Sequence, residues 1–286
     1  MLAGMRALAA EFDGYIVDLW GVLHDGMRAF PHALDCLARL RAGGRRILIL
    51  SNAPRRASEV AARCAEMGLT PDTYDSLMSS GEDAWRHLDE RPDAWYRALG
   101  RRCYHLGPER DFGMREGLDY RFVDELSEAD FILNTGALGH ADTRETYTPF
   151  LEAALALALP MVCANPDYVV IRGGVMEICA GTIALAYEEM GGTVRYHGKP
   201  DPGIYRTCLG LFDGIAPERI LAVGDSIRTD VVGAQAMGMA AVFVVSGIHK
   251  ETLVNTHTGA LNQDRLSELY RAEGGRPLAA LPDFRW

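Results

Sequence analysis

The hydrophobic positions fall into short continuous runs near the two ends of the chain. "YIVDL" reaches Asp18, "RILIL" leads into Ser51 and Asn52, "ILAVG" into Asp225 and Ser226, and "AVFVV" into Ser246 and Gly247. Runs of this length without polar alternation predict strands buried on both faces, as in a parallel sheet. Amphipathic patterning between them predicts helices over 33–42, 58–67, 202–212 and 229–237. Ser58 stands where an N-cap would, and Gly68 and Gly238 stand where helices should stop. Strands alternating with helices predict an α/β fold, a Rossmann-like doubly wound parallel sheet. In such sheets the residues just past the strand C-termini share one crevice, so Asp18, Ser51, Asn52 and Asp225 could meet across more than 200 positions.

The middle of the chain has its own grammar. "CYHLG", "DFILNTG" and "MVCAN" read as strands, with helices over 146–159 and 181–190 and Gly191-Gly192 closing the segment. The expected organisation is a doubly wound core of residues 1–82 and 196–286, with a smaller α/β cap domain, 83–195, inserted in it. Hinges are expected near 79–83 and 193–198.

Composition narrows the function classes. A net charge of −10 disfavours a phosphate-backbone binder, so no nucleic-acid partner is expected. The most apolar stretch, "FLEAALALALPMVCA", carries Glu152 and breaks at Pro160, too short to span a membrane. The six cysteines are dispersed without a C-x-x-C pair, and no signal-peptide pattern is present; both point to a reducing, cytoplasmic setting. A homo-oligomer is also open, since an exposed cap sheet edge could pair with a copy of itself.

Two aspartates meeting in a crevice repel unless a cation or proton lies between them. Mg²⁺ relieves that repulsion with one or two carboxylates, water and a substrate phosphate. Asp18 and Asp225 supply the carboxylates, and Asp230 stands close enough in "GDSIRTD" to act from behind them. Lys199, in "HGKPDPG", offers an ammonium for a phosphoryl group or for a nucleophilic carboxylate. Ser51 and the amides beyond it offer donors. The set suits covalent phosphoryl transfer: Asp18 attacks phosphorus and water hydrolyses the aspartyl-phosphate.

The ordered motifs "DLWGVL", "LSNAPR", "GKPDP" and "GDSIRTD" resemble the haloacid dehalogenase superfamily, most of whose members are Mg²⁺-dependent phosphatases. The insertion between the second and third motifs, with its internal "ANPD", is similar to the class IIA branch, which includes phosphatases of nucleotides, sugar phosphates and p-nitrophenyl phosphate. The resemblance covers almost the whole chain. It implies Asp18 as nucleophile, Ser51 and Lys199 as the phosphoryl-binding pair with Asn52 beside them, and a small phosphorylated metabolite as substrate. It also implies a Mg²⁺ site of Asp18, the Trp20 backbone carbonyl and Asp225, with Asp230 behind.

Trp20 departs from the pattern. Phosphatases of this superfamily carry a second aspartate there, which protonates the leaving oxygen and then activates water. Indole is a donor without useful acidity, and general acid–base help contributes about 10²–10⁴-fold. Three readings stay open. Another group could substitute (His24, Asp25, Asp167 or Glu177); the substrate could have a good leaving group, such as an acyl phosphate; or the chain could bind a phosphorylated ligand as a non-catalytic regulatory protein. An aromatic residue at this position is also similar to the "D-x-Y-G-T" of metal-free dehalogenases, but Asp225 and Asp230 and the place of the insertion oppose that reading.

Bland roles stand beside these. Asp225 could cap a helix, Lys199 could be a solvated surface charge, Asn52 could only hold its loop, and His24 and Asp25 could be turn residues of a "DG" hairpin. His197 reads as structural, Arg55 and Arg56 as solvated charges at a helix start, and Trp85, Trp95 and Tyr96 as packing.

Overall fold

A computed structural model describes residues 1–172, 175–255 and 257–286. Two compact units divide the chain: Met1–Ser51, Ala61–Met78 and Lys199–Trp286 form the first, and Asn52–Val60 with Ser79–Gly198 form the second. The expected boundaries at 82/83 and 195/196 thus become 78/79 and 198/199, and residues 52–60 group with the insertion.

In the first unit the strands are β1 (Gly14–Val17), β2 (Arg46–Ser51) and β3 (Ser76–Ser79), then β11 (Ile220–Gly224), β12 (Ala240–Val244) and β13 (Ala279–Leu281). The insertion contributes β4 (Arg102–Leu106), β5 (Arg121–Val123), β6 (Phe131–Asn134), β7 (Met161–Cys163), β8 (Val169–Arg172), β9 (Val175–Ile178) and β10 (Val194–Tyr196). Six strands of the first unit lie in the order β13-β12-β11-β1-β2-β3. Numbered within that unit, this is the 3-2-1-4-5-6 order of a doubly wound sheet. β1 runs parallel to both β2 and β11, and β12 and β13 continue parallel beyond β11. β1 and β11 are buried at every position, as their unbroken apolar runs require. Ile16, Leu48, Leu50, Ile220 and Phe243 pack with Ile204 and Tyr205 of a helix on one face; each such side chain contributes about 1.5–3 kcal/mol by burial.

Helices α1 (Pro31–Ala42) and α2 (Ala57–Glu66) follow β1 and β2. α2 starts at Ala57, so Ser58 lies inside its first turn and is not the cap. Gly68 and Gly238 do end their helices: both have positive φ (+89° and +76°), and the next amide turns back onto the helix in each case, Leu69 N to Cys64 O and Met239 N to Ala234 O. The helix expected over 229–237 is divided: Ile227–Val231 is a π-turn and only Val232–Ala236 is α-helical. Its cap is Ser226, whose side chain accepts from Thr229 N; Asp225 is thereby released from the capping role.

In the second unit five parallel strands take the order β10-β7-β6-β4-β5, a 2-1-3-4-5 sheet in its own numbering. β8 and β9 form a separate antiparallel hairpin. Helices α3 (Ser80–Glu90), α4 (Ala94–Ala98), α5 (Thr148–Ala156) and α6 (Ala180–Glu189) pack with this sheet around two apolar clusters.

Arg55 and Arg56 are half-buried and ion-paired, not simply solvated. Arg55 Nε donates to the buried Asp111 at 2.7 Å, and Arg56 Nε to Glu82 at 2.8 Å, with its guanidinium 3.6 Å from the Trp85 ring centre. Tertiary ion pairs override the unfavourable dipole at the start of α2. Trp85, Trp95 and Tyr96 are packing residues: all three pack in the cluster around Phe131, with Tyr96 fully buried. Among the described residues, no helix is long and apolar enough to cross a membrane.

Candidate active site

Strand register brings the first carboxylates together. Val17 of β1 lies opposite Ile49 of β2 and Val223 of β11. Asp18 is therefore level with Leu50 and Gly224, and Ser51 and Asp225 come one residue later on the flanking strands. Neighbouring strands are about 4.8 Å apart, so the three side chains emerge at one edge, where the winding of the sheet reverses. Asp18 is fixed further by its amide, which donates to Val223 O at 2.8 Å.

The third and fourth members arrive from loops. Lys199 is 3% exposed; its Nζ donates to Asp18 Oδ1 at 2.5 Å and to Asp230 Oδ1 at 2.7 Å. The π-turn after β11 carries Asp230, whose Oδ2 accepts from Ser226 N at 3.1 Å. One carboxylate oxygen from each of Asp18, Asp225 and Asp230 lies within 4.8 Å of the others. Lys199 is thus no surface charge but a buried bridge between two acids.

Glycines allow this crowding. A Cβ on Gly247 would fall 1.9 Å from Asp225 Oδ2, and one on Gly21, which has φ +77°, 2.1 Å from the same atom. Asp225 Oδ2 accepts from Ile248 N at 2.8 Å. The sequence shows Gly247 only as a strand end and Gly21 only within "DLWGVL"; neither they nor the Ile248 amide carry a local sign of the room they make for Asp225.

Three buried carboxylates face one ammonium. Burial raises Asp18 to about 7, against the lowering effect of Lys199. Burial, with Asp18 and Asp230 adding repulsion, raises Asp225 well above the ordinary carboxylate range. The surplus of negative charge and the all-oxygen donor set fit a hard divalent cation. Because the folded pKa of Asp18 exceeds its unfolded value, its contribution to metal-free stability is present below about pH 4 and lost as pH rises through about 7. Lys199→Met, which leaves these acids without their counter-charge, is expected to cost about 3–5 kcal/mol at neutral pH. The loss should shrink on acidification; thermal melts of metal-free protein at several pH values check both statements.

The other expected residues are distributed as follows. Trp20 folds back over its own loop: its ring is edge-on to His24 at 5.1 Å, and a Cβ on Gly26 would come within 2.4 Å of it. His24 is buried, and its Nδ1 accepts from Gly26 N at 2.9 Å. Asp25 is a turn residue. Its Oδ1 accepts from Met27 N and Arg28 N, and these bonds outweigh burial to hold its carboxyl below the usual range. In the second unit, Asn52 Nδ2 donates to Asp167 at 2.8 Å, and Glu177 pairs with His140 at 2.9 Å. Asn52 therefore holds the "ANPD" loop through its side-chain amide.

Comparison with known proteins bears on this geometry. A haloacid dehalogenase-like hydrolase family model matches residues 15–121, and a HAD-hydrolase-like model matches residues 196–269. The solved structure of a haloacid dehalogenase-like hydrolase from Brucella suis is 31% identical, with 99% of this chain and 100% of that one covered at a TM-score of 0.85. This chain belongs to the haloacid dehalogenase-like hydrolases. Within that family it is similar to human chronophin, 29% identical over 94% of this chain and 93% of chronophin. It is also similar to the glycerol phosphate phosphatase of Mycobacterium tuberculosis, solved in complex with magnesium, at 25% identity and TM-score 0.64 over 87% of this chain and 73% of that one. The insertion between the second and third motifs is that of the class IIA branch, and divalent metal accompanies the haloacid dehalogenase-like fold in this relative.

Proposed function

We propose that the protein is a Mg²⁺-dependent phosphatase of a small phosphorylated metabolite, with Asp18 as nucleophile. The observation that carries this reading is the buried cluster of Asp18, Asp225 and Asp230 around Lys199. Asp18, Asp225 and the Trp20 carbonyl would hold the ion. Both oxygens of Asp230 are engaged, by Lys199 and by Ser226 N, which supports a place behind the ligands. When bound, the cation offsets repulsion between the substrate phosphate and the carboxylates.

An Asp18 carboxylate oxygen forms the bond to phosphorus as the ester oxygen departs, giving an aspartyl-phosphate. Water then attacks phosphorus, and phosphate and the free Asp18 carboxylate result. Lys199 and Ser51 donate to the phosphoryl oxygens in both steps, and Asp230 keeps the Lys199 ammonium in place. Trp20 cannot supply the proton for the leaving oxygen. His24 of the same loop has its Nδ1 taken up by Gly26 N, so esters whose leaving oxygen departs without a proton are favoured.

A substrate panel tests the reading. Phosphate release from p-nitrophenyl and acetyl phosphate should require Mg²⁺ and exceed release from alkyl sugar phosphates. At limiting Mg²⁺ the rate should fall as pH drops through about 7, where Asp18 takes up its proton. Mg²⁺-dependent binding of phosphorylated ligands without any turnover would instead identify a non-catalytic phospholigand-binding protein.

A further inference from the structure

A second cluster of metal-binding side chains lies within the inserted unit. Asp83 and His87 are four residues apart on α3, so they project from the same face of the helix. His197 follows β10, and its Nδ1 lies 2.6 Å from Asp83 Oδ2. One donor atom from each of Asp83, His87 and His197 falls within 4.8 Å of the others, and the two imidazole rings are 4.7 Å apart. Asp83 and His197 have side chains only 7% and 4% exposed, whereas that of His87 is 35% exposed. The cluster is therefore closed on one side and open to solvent at His87.

We propose that Asp83, His87 and His197 form a binding site for a transition-metal dication of the Zn²⁺ type, separate in donor chemistry from the all-oxygen cluster at Asp18. Two imidazoles and one carboxylate select Zn²⁺, Co²⁺ or Ni²⁺ over Mg²⁺, which prefers oxygen alone. Tetrahedral donors on Zn²⁺ sit roughly 3.3 Å apart, a spacing between the Asp83–His197 contact and the 4.8 Å outer limit of this cluster. The surrounding shell has the required form as well. His197 Nε2 is hydrogen-bonded to the buried Tyr96 hydroxyl, so the ring is oriented from behind while Nδ1 faces Asp83. On metal entry the hydrogen at His197 Nδ1 leaves the Asp83 contact and is carried on Nε2 instead. Tyr96 then changes from donor to acceptor, and the imidazole stays neutral. Water fills the remaining position on the exposed side. Bound metal would clip α3 to the segment after β10, inside the inserted unit.

The sequence contains the helical half of this signal, the D-x-x-x-H of Asp83 and His87; His197 joins it only in three dimensions.

The test uses the full chain carrying Asp225→Asn, so that the oxygen cluster does not compete and no turnover is needed. After chelator treatment and Zn²⁺ addition, this protein should retain one Zn²⁺ per chain through dialysis. Zinc-edge absorption should report two imidazole nitrogens at about 2.0 Å. His87→Ala, at the exposed corner, should lower Zn²⁺ affinity by about 100-fold or more, and Tyr96→Phe by about 10-fold. Asp83→Asn gives a second variant if either fails to fold. Absence of bound Zn²⁺, an all-oxygen shell, or unchanged affinity in folded His87→Ala would overturn the proposal. None of these outcomes depends on whether the protein is a phosphatase.

Discussion

Asp18→Asn is expected to reduce phosphate release by about 10³-fold or more while leaving the fold as stable as before, or more so, in metal-free protein. The first effect follows from removing the carboxylate proposed to form the covalent intermediate; loss of a nucleophile usually removes most of the catalysis that depends on it. The second follows from the electrostatics. Asparagine keeps the size of the side chain but takes away one of three crowded carboxylates, and Asp18 is among the repulsions that raise Asp225. Lys199 keeps its bond to Asp230, so its charge is not left alone. Steady-state kinetics with p-nitrophenyl phosphate, beside thermal melts with chelator, separates the two effects. Retained turnover would remove Asp18 from the nucleophile role. A large loss of stability would instead mean that the Asp18–Lys199 pair is structural.

Trp20→Asp is expected to raise hydrolysis of alkyl phosphates by about 10²–10⁴-fold, the usual contribution of a positioned acid–base group. Hydrolysis of p-nitrophenyl phosphate should change much less, because its leaving group needs little protonation. Trp20→Phe serves as the control, with an aromatic ring against His24 and Gly26 and no acid. A folded Trp20→Asp variant with no gain on alkyl phosphates would count against the missing-acid account. It would also turn attention to His24, whose substitution by Asn should then lower the rate on the same substrates.

Much of this site could be read from the chain. The strand ends after "YIVDL", "RILIL" and "ILAVG" are buried parallel strands, and unbroken apolar runs have few other uses. Their order in the sheet then fixes which strand tips are neighbours, a consequence of winding rules more than of any single residue. What escaped was set by tertiary contact. The ion pairs of Arg55 and Arg56 depend on Asp111 and Glu82, which lie distant in sequence. The π-turn at Ile227–Val231 has no composition signal, yet it carries the Asp230 that holds Lys199. The glycines beside Asp225 are legible only once the carboxylate they make room for has been placed. Ser58 fails as a cap for a local reason: α2 begins one residue before it and takes the serine into its first turn.

The strand order has a further consequence for synthesis. β1 lies at the centre of its sheet, but one of its neighbours, β11, comes more than 200 residues later. A chain emerging in order can complete the inserted unit while β1 still has an open hydrogen-bonding edge, and pairing of such distant segments is slow. Until β11 arrives, that half-built sheet is a template for wrong partners. Fragments truncated after the insertion should therefore aggregate, and the carboxylate cluster around Lys199 is among the last parts of the protein to come into being.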